Sequence, residues 1–128
     1  MLVDTLGLVL VVQVQPASEQ DRRGALLLLH EAGLCYPTLR LVWADGGYSG
    51  PLVAGAAPTD CQVRIVAKPA GNKTFTALPR RWVVERTFAW LSHYRRLGTR
   101  DLETTPHSSR AWIFVAMIHL MCRRLQPL

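Results

Sequence analysis

Asp45 is an acidic residue whose neighbours in the sequence favour chemistry. It follows the apolar run Leu39–Ala44 and precedes two glycines, a pattern that predicts a buried strand ending in a turn. A carboxylate in this position emerges at the edge of an open α/β sheet where active sites gather. The alternative is an aspartate that caps the amides of its own turn, which is the commoner role in Asp-Gly sequences.

Glu85 is the second candidate, and it lies in a predicted helix that is rich in arginine. An ion-paired glutamate on a helix surface is the ordinary interpretation, and such a pair contributes only about 0.3–0.5 kcal/mol. A carboxylate among arginines also fits a site that holds Mg²⁺ beside DNA phosphate. Carboxylate oxygens bind hard cations and guanidinium groups bind phosphates, so both interpretations of Glu85 stay open.

The charge of the chain is divided unevenly along the sequence. Residues 1–60 contain 3 Lys/Arg against 6 Asp/Glu, whereas residues 61–128 contain 12 against 3. This asymmetry indicates a polyanion such as DNA as partner of the second half, with a merely solvated basic surface as the alternative.

Three cysteines without metal-ligand spacing indicate a reduced, cytoplasmic protein. Neither apolar run, at the start or at Trp112–Cys122, has the features of a membrane element.

The order of predicted elements indicates an α/β domain with a mixed sheet that spans residues 1–128. The predicted elements are a hairpin of Leu2–Asp4 and Leu8–Gln15 turning at Gly7, a helix from about Glu19 to Ala32, strands Leu39–Ala44 and Val63–Ala67, a mobile loop Lys68–Leu78, a helix Pro79–Leu97, and a helix from Pro106 to about Leu125. On the last helix, helical spacing predicts a core-facing stripe of Phe114, Met117, Ile118, Met121, Cys122 and Leu125.

Several stretches of the sequence resemble bacterial transposases of the insertion-sequence family five group, which belong to the DDE superfamily. The stretches are VDTLGLVLVV, PASEQDRRGA, LRLVWADGGYSG, PRRWVVERTFAWLSHYRRL and TTPHSSRAWIFVAMIHLMCRRL. The resemblance covers nearly the whole chain, is weakest between residues 51 and 78, and is most specific at WVVERTFAWL. It implies a ribonuclease-H-like fold and an enzyme that cuts and joins DNA with Mg²⁺ or Mn²⁺, acting as a homo-oligomer.

The resemblance also gives roles to single residues of this chain. Asp45 matches the second metal-binding aspartate of the family, and Glu85 matches its terminal glutamate. The residues implied to contact the DNA backbone are Arg81, Arg95, Arg96, Lys68 and Lys73. Three aromatic residues are candidates for stacking on a splayed base at the transposon end, namely Trp82, Trp90 and Tyr94. For Trp90, core packing is the favoured alternative.

The sequence departs from the family pattern at several positions. Leu78 and Ser92 stand where the family signature has tyrosine and lysine. The family's first catalytic aspartate lies on a first strand that has no counterpart here, because the hairpin matches the second and third strands. The sequence therefore predicts a partial ribonuclease-H-like domain that lacks the first strand, a truncated and inactive transposase fragment. The alternatives are a non-catalytic DNA-binding remnant and an inert relic.

Overall fold

The computed structural model describes residues 1–66, 80, 82–98 and 102–126, and these form an α/β structure. The elements in chain order are β1 (Leu2–Val3), β2 (Val9–Val11), α1 (Asp21–Cys35), β3 (Leu41–Asp45), a 3₁₀ turn (Gly46–Tyr48), α2 (Pro51–Ala56), β4 (Gln62–Val66), α3 (Trp82–Ser92), a second 3₁₀ turn (Arg95–Leu97) and α4 (Pro106–Leu125). The predicted loop Lys68–Leu78 lies outside the described residues.

The predicted hairpin at the start of the chain is confirmed. Strands β1 and β2 pair antiparallel, and Gly7 in the connecting turn has φ +83°, a conformation that glycine adopts without steric cost. Asp4 shapes this turn, because its carboxylate accepts hydrogen bonds from the amides of Leu6 and Leu8 at 2.9 and 2.8 Å. The Asp4 side chain thus serves the turn itself.

Strands β3 and β4 pair in parallel with Trp43 opposite Arg64, as the sequence predicts. Val42 is buried in a cluster with Leu29 of α1 and Val53 of α2, so these two helices cover one face of the pair. Side chains alternate along a strand. Trp43 and Arg64 therefore lie on the opposite face.

The two C-terminal helices, α3 and α4, pack against each other, and α3 also packs on the hairpin. Thr87 of α3 is fully buried, and its hydroxyl donates a 2.7 Å hydrogen bond to the Gly7 carbonyl. Leu91 of α3 packs with Met117 of α4. The predicted start of α4 is confirmed, because Thr105 is the N-cap and its side chain accepts from the Ser108 amide.

The structure corrects several boundaries. Helix α1 runs from Asp21 through Gly33 to Cys35, so the predicted end at Ala32 is wrong, and its N-cap is Gln20 without a side-chain hydrogen bond. Helix α2 was not predicted at all. The strands of the described residues form two two-stranded sheets, one antiparallel and one parallel.

The predicted core stripe of α4 is also largely wrong. Met117 is buried at 2% exposure, but Ile118 and Leu125 are 55% and 83% exposed. The helix instead turns Ala116 and Met117 toward Leu91, with Ile113 and Leu120 packed around them. Helical spacing correctly indicates that α4 has an apolar side. The neighbouring elements cover a different part of that side from the one that the spacing predicts.

Candidate functional site

A cleft of about 650 Å³ borders β3, and residues of β4, α1 and α3 also line it. Four consecutive residues of β3, Val42–Asp45, line this cleft, as do the four residues Val12–Gln15 that follow β2. Residues of both two-stranded sheets thus line the cleft.

Asp45 stands at the C-terminal end of β3 and lines the cleft. One carboxylate oxygen, Oδ1, accepts a 2.9 Å hydrogen bond from the Gly47 amide and caps the 3₁₀ turn. The two interpretations of Asp45 are therefore compatible, because capping uses one lone-pair direction of a group with two oxygens. The carboxylate is fixed in place by the turn and still faces the cleft.

Glu85 lies in the first turn of α3 and lines the same cleft. Its helix is anchored by the next residue, Arg86, whose guanidinium lies 4.5 Å from the ring centre of Trp82 and 4.7 Å from that of Trp90. The same guanidinium donates a 2.9 Å hydrogen bond to the carbonyl of Leu6 in the hairpin turn. The hairpin therefore fixes the helix that carries Glu85.

Two further polar residues of the cleft were missed by the sequence analysis. Asp21, at the start of α1, and Tyr48, in the 3₁₀ turn, both line it. Burial, and then the carboxylates of Asp21 and Asp45, raises the pKa of the Tyr48 hydroxyl, which keeps the phenol neutral. The position of Tyr48, three residues after Asp45, was the available signal.

The family model described as transposase DDE domain matches residues 1–121 of the chain. The chain belongs to the transposase DDE domain family. The searches of curated proteins and of solved structures give no match.

DDE transposases use divalent metal ions. The described residues of this DDE domain include carboxylates, which such ions prefer as ligands, but too few of them lie together to hold an ion. Asp45 and Glu85 offer carboxylate oxygens, which hard cations prefer, on one cleft. Across residues 1–66, 82–98 and 102–126, however, no group of three or more His, Cys, Asp or Glu side chains could hold a metal ion. Asp21 does not complete a set with the other two.

The residues predicted to contact DNA have different surroundings in the DDE domain. Arg95 is exposed. Arg96 forms a 2.7 Å ion pair with Glu103 and lies 4.6 Å from the ring centre of Trp112, so part of its charge is engaged within the protein. Three of the predicted residues lie outside the described part of the chain, namely Arg81, Lys68 and Lys73.

The three aromatic residues predicted to stack on a base all have partners within the protein. Trp82 and Trp90 flank Arg86, and Trp90 also lies under Arg124 at 4.6 Å. The Tyr94 hydroxyl donates to the carbonyl of Ala116 at 3.1 Å and ties the end of α3 to α4.

In the part of the chain that the structure describes, no helix is both long and apolar enough to span a bilayer.

Proposed function

We propose that this DDE domain serves metal-dependent cleavage and joining of DNA strands at the ends of an insertion sequence of the family five group. One observation carries the proposal. The two carboxylates that match the family's metal-binding residues, Asp45 and Glu85, come from elements 40 residues apart in the chain and line one cleft. Nearby arginines supply the positive charge that a phosphodiester requires.

The proposed roles of the residues follow from their positions. Asp45, held by its turn, and Glu85, held by α3, would bind Mg²⁺ or Mn²⁺ through carboxylate oxygens. When bound, the metal supplies activation of the attacking oxygen and stabilisation of the leaving oxygen. Arg95, and outside the described residues Arg81, Lys68 and Lys73, would position the DNA backbone without reading its sequence.

We infer further that the two small sheets are parts of one ribonuclease-H-like mixed sheet. Residues of both sheets, and the segment Val12–Gln15 that follows β2, line the same cleft. In a ribonuclease-H-like sheet, one strand between them would pair with both. By the resemblance, such a strand would carry the first metal-binding aspartate, which accounts for the incomplete set of ligands.

Titration with Mn²⁺ tests whether the two carboxylates share an ion. The paramagnetic ion is expected to broaden the amide signals of Gly46 and Arg86 over the same range of metal concentration, because each amide adjoins one of the ligands. Calorimetry of the same titration is expected to show weak binding, since the described ligands are incomplete. Tight two-site binding by the chain would contradict this incomplete-centre model.

Single substitutions serve as controls for the titration. In Glu85→Gln, broadening at Gly46 should need more metal than in the wild type, although Gly46 is far from residue 85 in the chain. Asp60→Asn, which changes an exposed acid that does not line the cleft, should leave the titration unchanged. Broadening at Gly46 that is indifferent to Glu85→Gln would mean that the two acids bind ions separately.

A second candidate function is DNA binding without cleavage. The absence of a three-ligand group among the described residues favours it, as does the basic second half of the chain. Under this alternative, DNA affinity falls steeply with salt but is independent of Mn²⁺. Asp45→Asn and Glu85→Gln would then leave every measured DNA interaction intact.

A further inference from the structure

We propose that Trp43, flanked by Arg64 and Arg80, is a stacking site for an unpaired base of single-stranded DNA in the cleft that Asp45 and Glu85 also line. The inference deepens the proposed function and rests on it in one respect, the identity of the polyanion. Trp43 was read from the sequence only as part of a buried strand, and the structure gives it a different position.

Trp43 lies on the face of the β3–β4 pair opposite the helices α1 and α2. Its neighbour Val42 is 8% exposed among the side chains of those helices, whereas Trp43 is 40% exposed. Asp45 follows Trp43 by two residues, so alternation places both side chains on one side of the strand. The exposed ring and the candidate metal-binding carboxylate therefore belong to the same surface, and both line the cleft.

Two arginines accompany the ring. The Arg80 guanidinium lies 4.9 Å from the Trp43 ring centre and the Arg64 guanidinium 5.8 Å from it. Arg64 is the direct cross-strand partner of Trp43, and Arg80 lies shortly before α3, the helix that carries Glu85. Both distances are within the range of a cation–π contact, which orients ring and guanidinium groups together. Strand pairing and the position of α3 thus bring an aromatic surface and two fixed positive charges to one place.

This combination fits single-stranded nucleic acid better than other polyanions. Every base has a flat π-face that stacks on an aromatic ring, and the arginines can bind the flanking phosphates. An acidic peptide would use the arginines but has no need of an exposed indole. In duplex DNA the bases stack on each other and their faces are not available, so the surface is suited to a strand whose end is unpaired.

The position of this surface gives it a purpose in strand cleavage. A base held on Trp43 would bring its phosphodiester toward Asp45, two residues further along the same face. We therefore expect Trp43 to act as a positioning residue: its loss should weaken the binding of single strands while leaving metal binding as it is. This separates it from Asp45 and Glu85, whose loss acts on the metal.

The test measures the affinity of the full chain for a short single-stranded oligonucleotide and for the matching duplex, without divalent metal. Trp43→Ala is expected to weaken single-strand binding by about tenfold, as the loss of one base–aromatic stack does, and Trp43→Phe should recover part of it. Duplex affinity should change little. Arg64→Gln and Arg80→Gln should each lower the salt slope of single-strand binding by about 0.7.

Matched controls come from the same chain. Phe114 of α4 is a half-buried aromatic residue beside Arg110 that does not line the cleft, so Phe114→Leu should leave single-strand affinity near that of the wild type. Arg23, an exposed residue of α1 paired with Glu19, provides the charge control Arg23→Gln. The melting temperature of each variant shows that it is folded.

The outcomes separate this inference from the proposed function. Equal weakening of single-strand and duplex binding in Trp43→Ala, or no weakening of either, would overturn the stacking site while leaving the carboxylate assignment intact. Loss of single-strand affinity in Trp43→Ala, together with cleavage that is indifferent to Asp45→Asn, would support the stacking site and overturn the proposed chemistry. Equal competition by polyglutamate and by a single strand of the same charge would also overturn the stacking site.

Discussion

Replacing Asp45 by asparagine, or Glu85 by glutamine, is expected to lower the rate of metal-dependent DNA strand cleavage by about a hundredfold or more. Each substitution removes one negative oxygen ligand, and metal coordination contributes several kcal/mol to stabilisation of the transition state. The asparagine oxygen can still accept the hydrogen bond from the Gly47 amide, so the turn is kept. The measurement is the rate of slow Mn²⁺-dependent nicking of supercoiled plasmid by the full chain, at metal concentrations that saturate its weak binding.

The double substitution distinguishes a shared centre from two independent effects. Residues that act as a unit are strongly non-additive, so Asp45→Asn with Glu85→Gln should be little slower than either variant alone. Asp60→Asn and Glu19→Gln change exposed acids that do not line the cleft and should retain wild-type nicking. Nicking that survives both substitutions would contradict the proposed function. Salt-dependent DNA binding with no metal-dependent nicking by the wild type would favour the non-cutting alternative.

The parts of the fold that sequence predicted well are those with strong local signals. The hairpin could be predicted because Gly7 lies between two β-rich runs. In the structure Gly7 has the positive φ that such a turn favours. The parallel pair β3–β4 could be predicted because both strands are short apolar runs separated by a crossover segment. The start of α4 could be predicted because threonine followed by proline is a strong N-terminal signal.

The predictions that were wrong concern features of the fold that depend on tertiary contacts. Gly33 sits inside α1, where its missing Cβ leaves room for Pro58, 3.0 Å from the position a Cβ would take. Its role is close packing, which sequence cannot distinguish from helix termination. Helix α2 has only six residues, too few for periodicity to register.

The candidate site shows the same division between local and tertiary information. The family resemblance identified Asp45 and Glu85, and the structure adds that they line one cleft. Trp43 was misread because an apolar run predicts a strand buried on both faces. In the structure one face of β3 packs on helices, while the other carries Trp43 beside Arg64 and Arg80. Which face of β3 is covered depends on the elements that pack against the strand, and the sequence of the strand alone does not show this.

Gly7→Ala is expected to destabilise the domain by about 3 kcal/mol, seen as a fall of roughly 10 °C in the melting temperature. An alanine in this left-handed conformation costs about 1–2 kcal/mol, and overpacking adds about 1–3 kcal/mol. An added Cβ would lie 2.9 Å from both Thr87 Oγ1 and the Trp90 ring. Neither can easily retreat, because Thr87 is fully buried and Trp90 is stacked against Arg86 and Arg124.

The matched control is Gly55→Ala. Gly55 lies in α2 with no atom within 4 Å of an added Cβ, so alanine should stabilise the helix by up to about 1 kcal/mol through its better propensity. Because the Gly7 turn holds the helix that bears Glu85, Gly7→Ala should also shift the amide signals of Glu85 and Arg86, which Gly55→Ala should not do. If the two variants melt at the same temperature, the close packing of the hairpin turn on α3 does not hold in solution. The positioning of Glu85 by that turn would then be wrong as well.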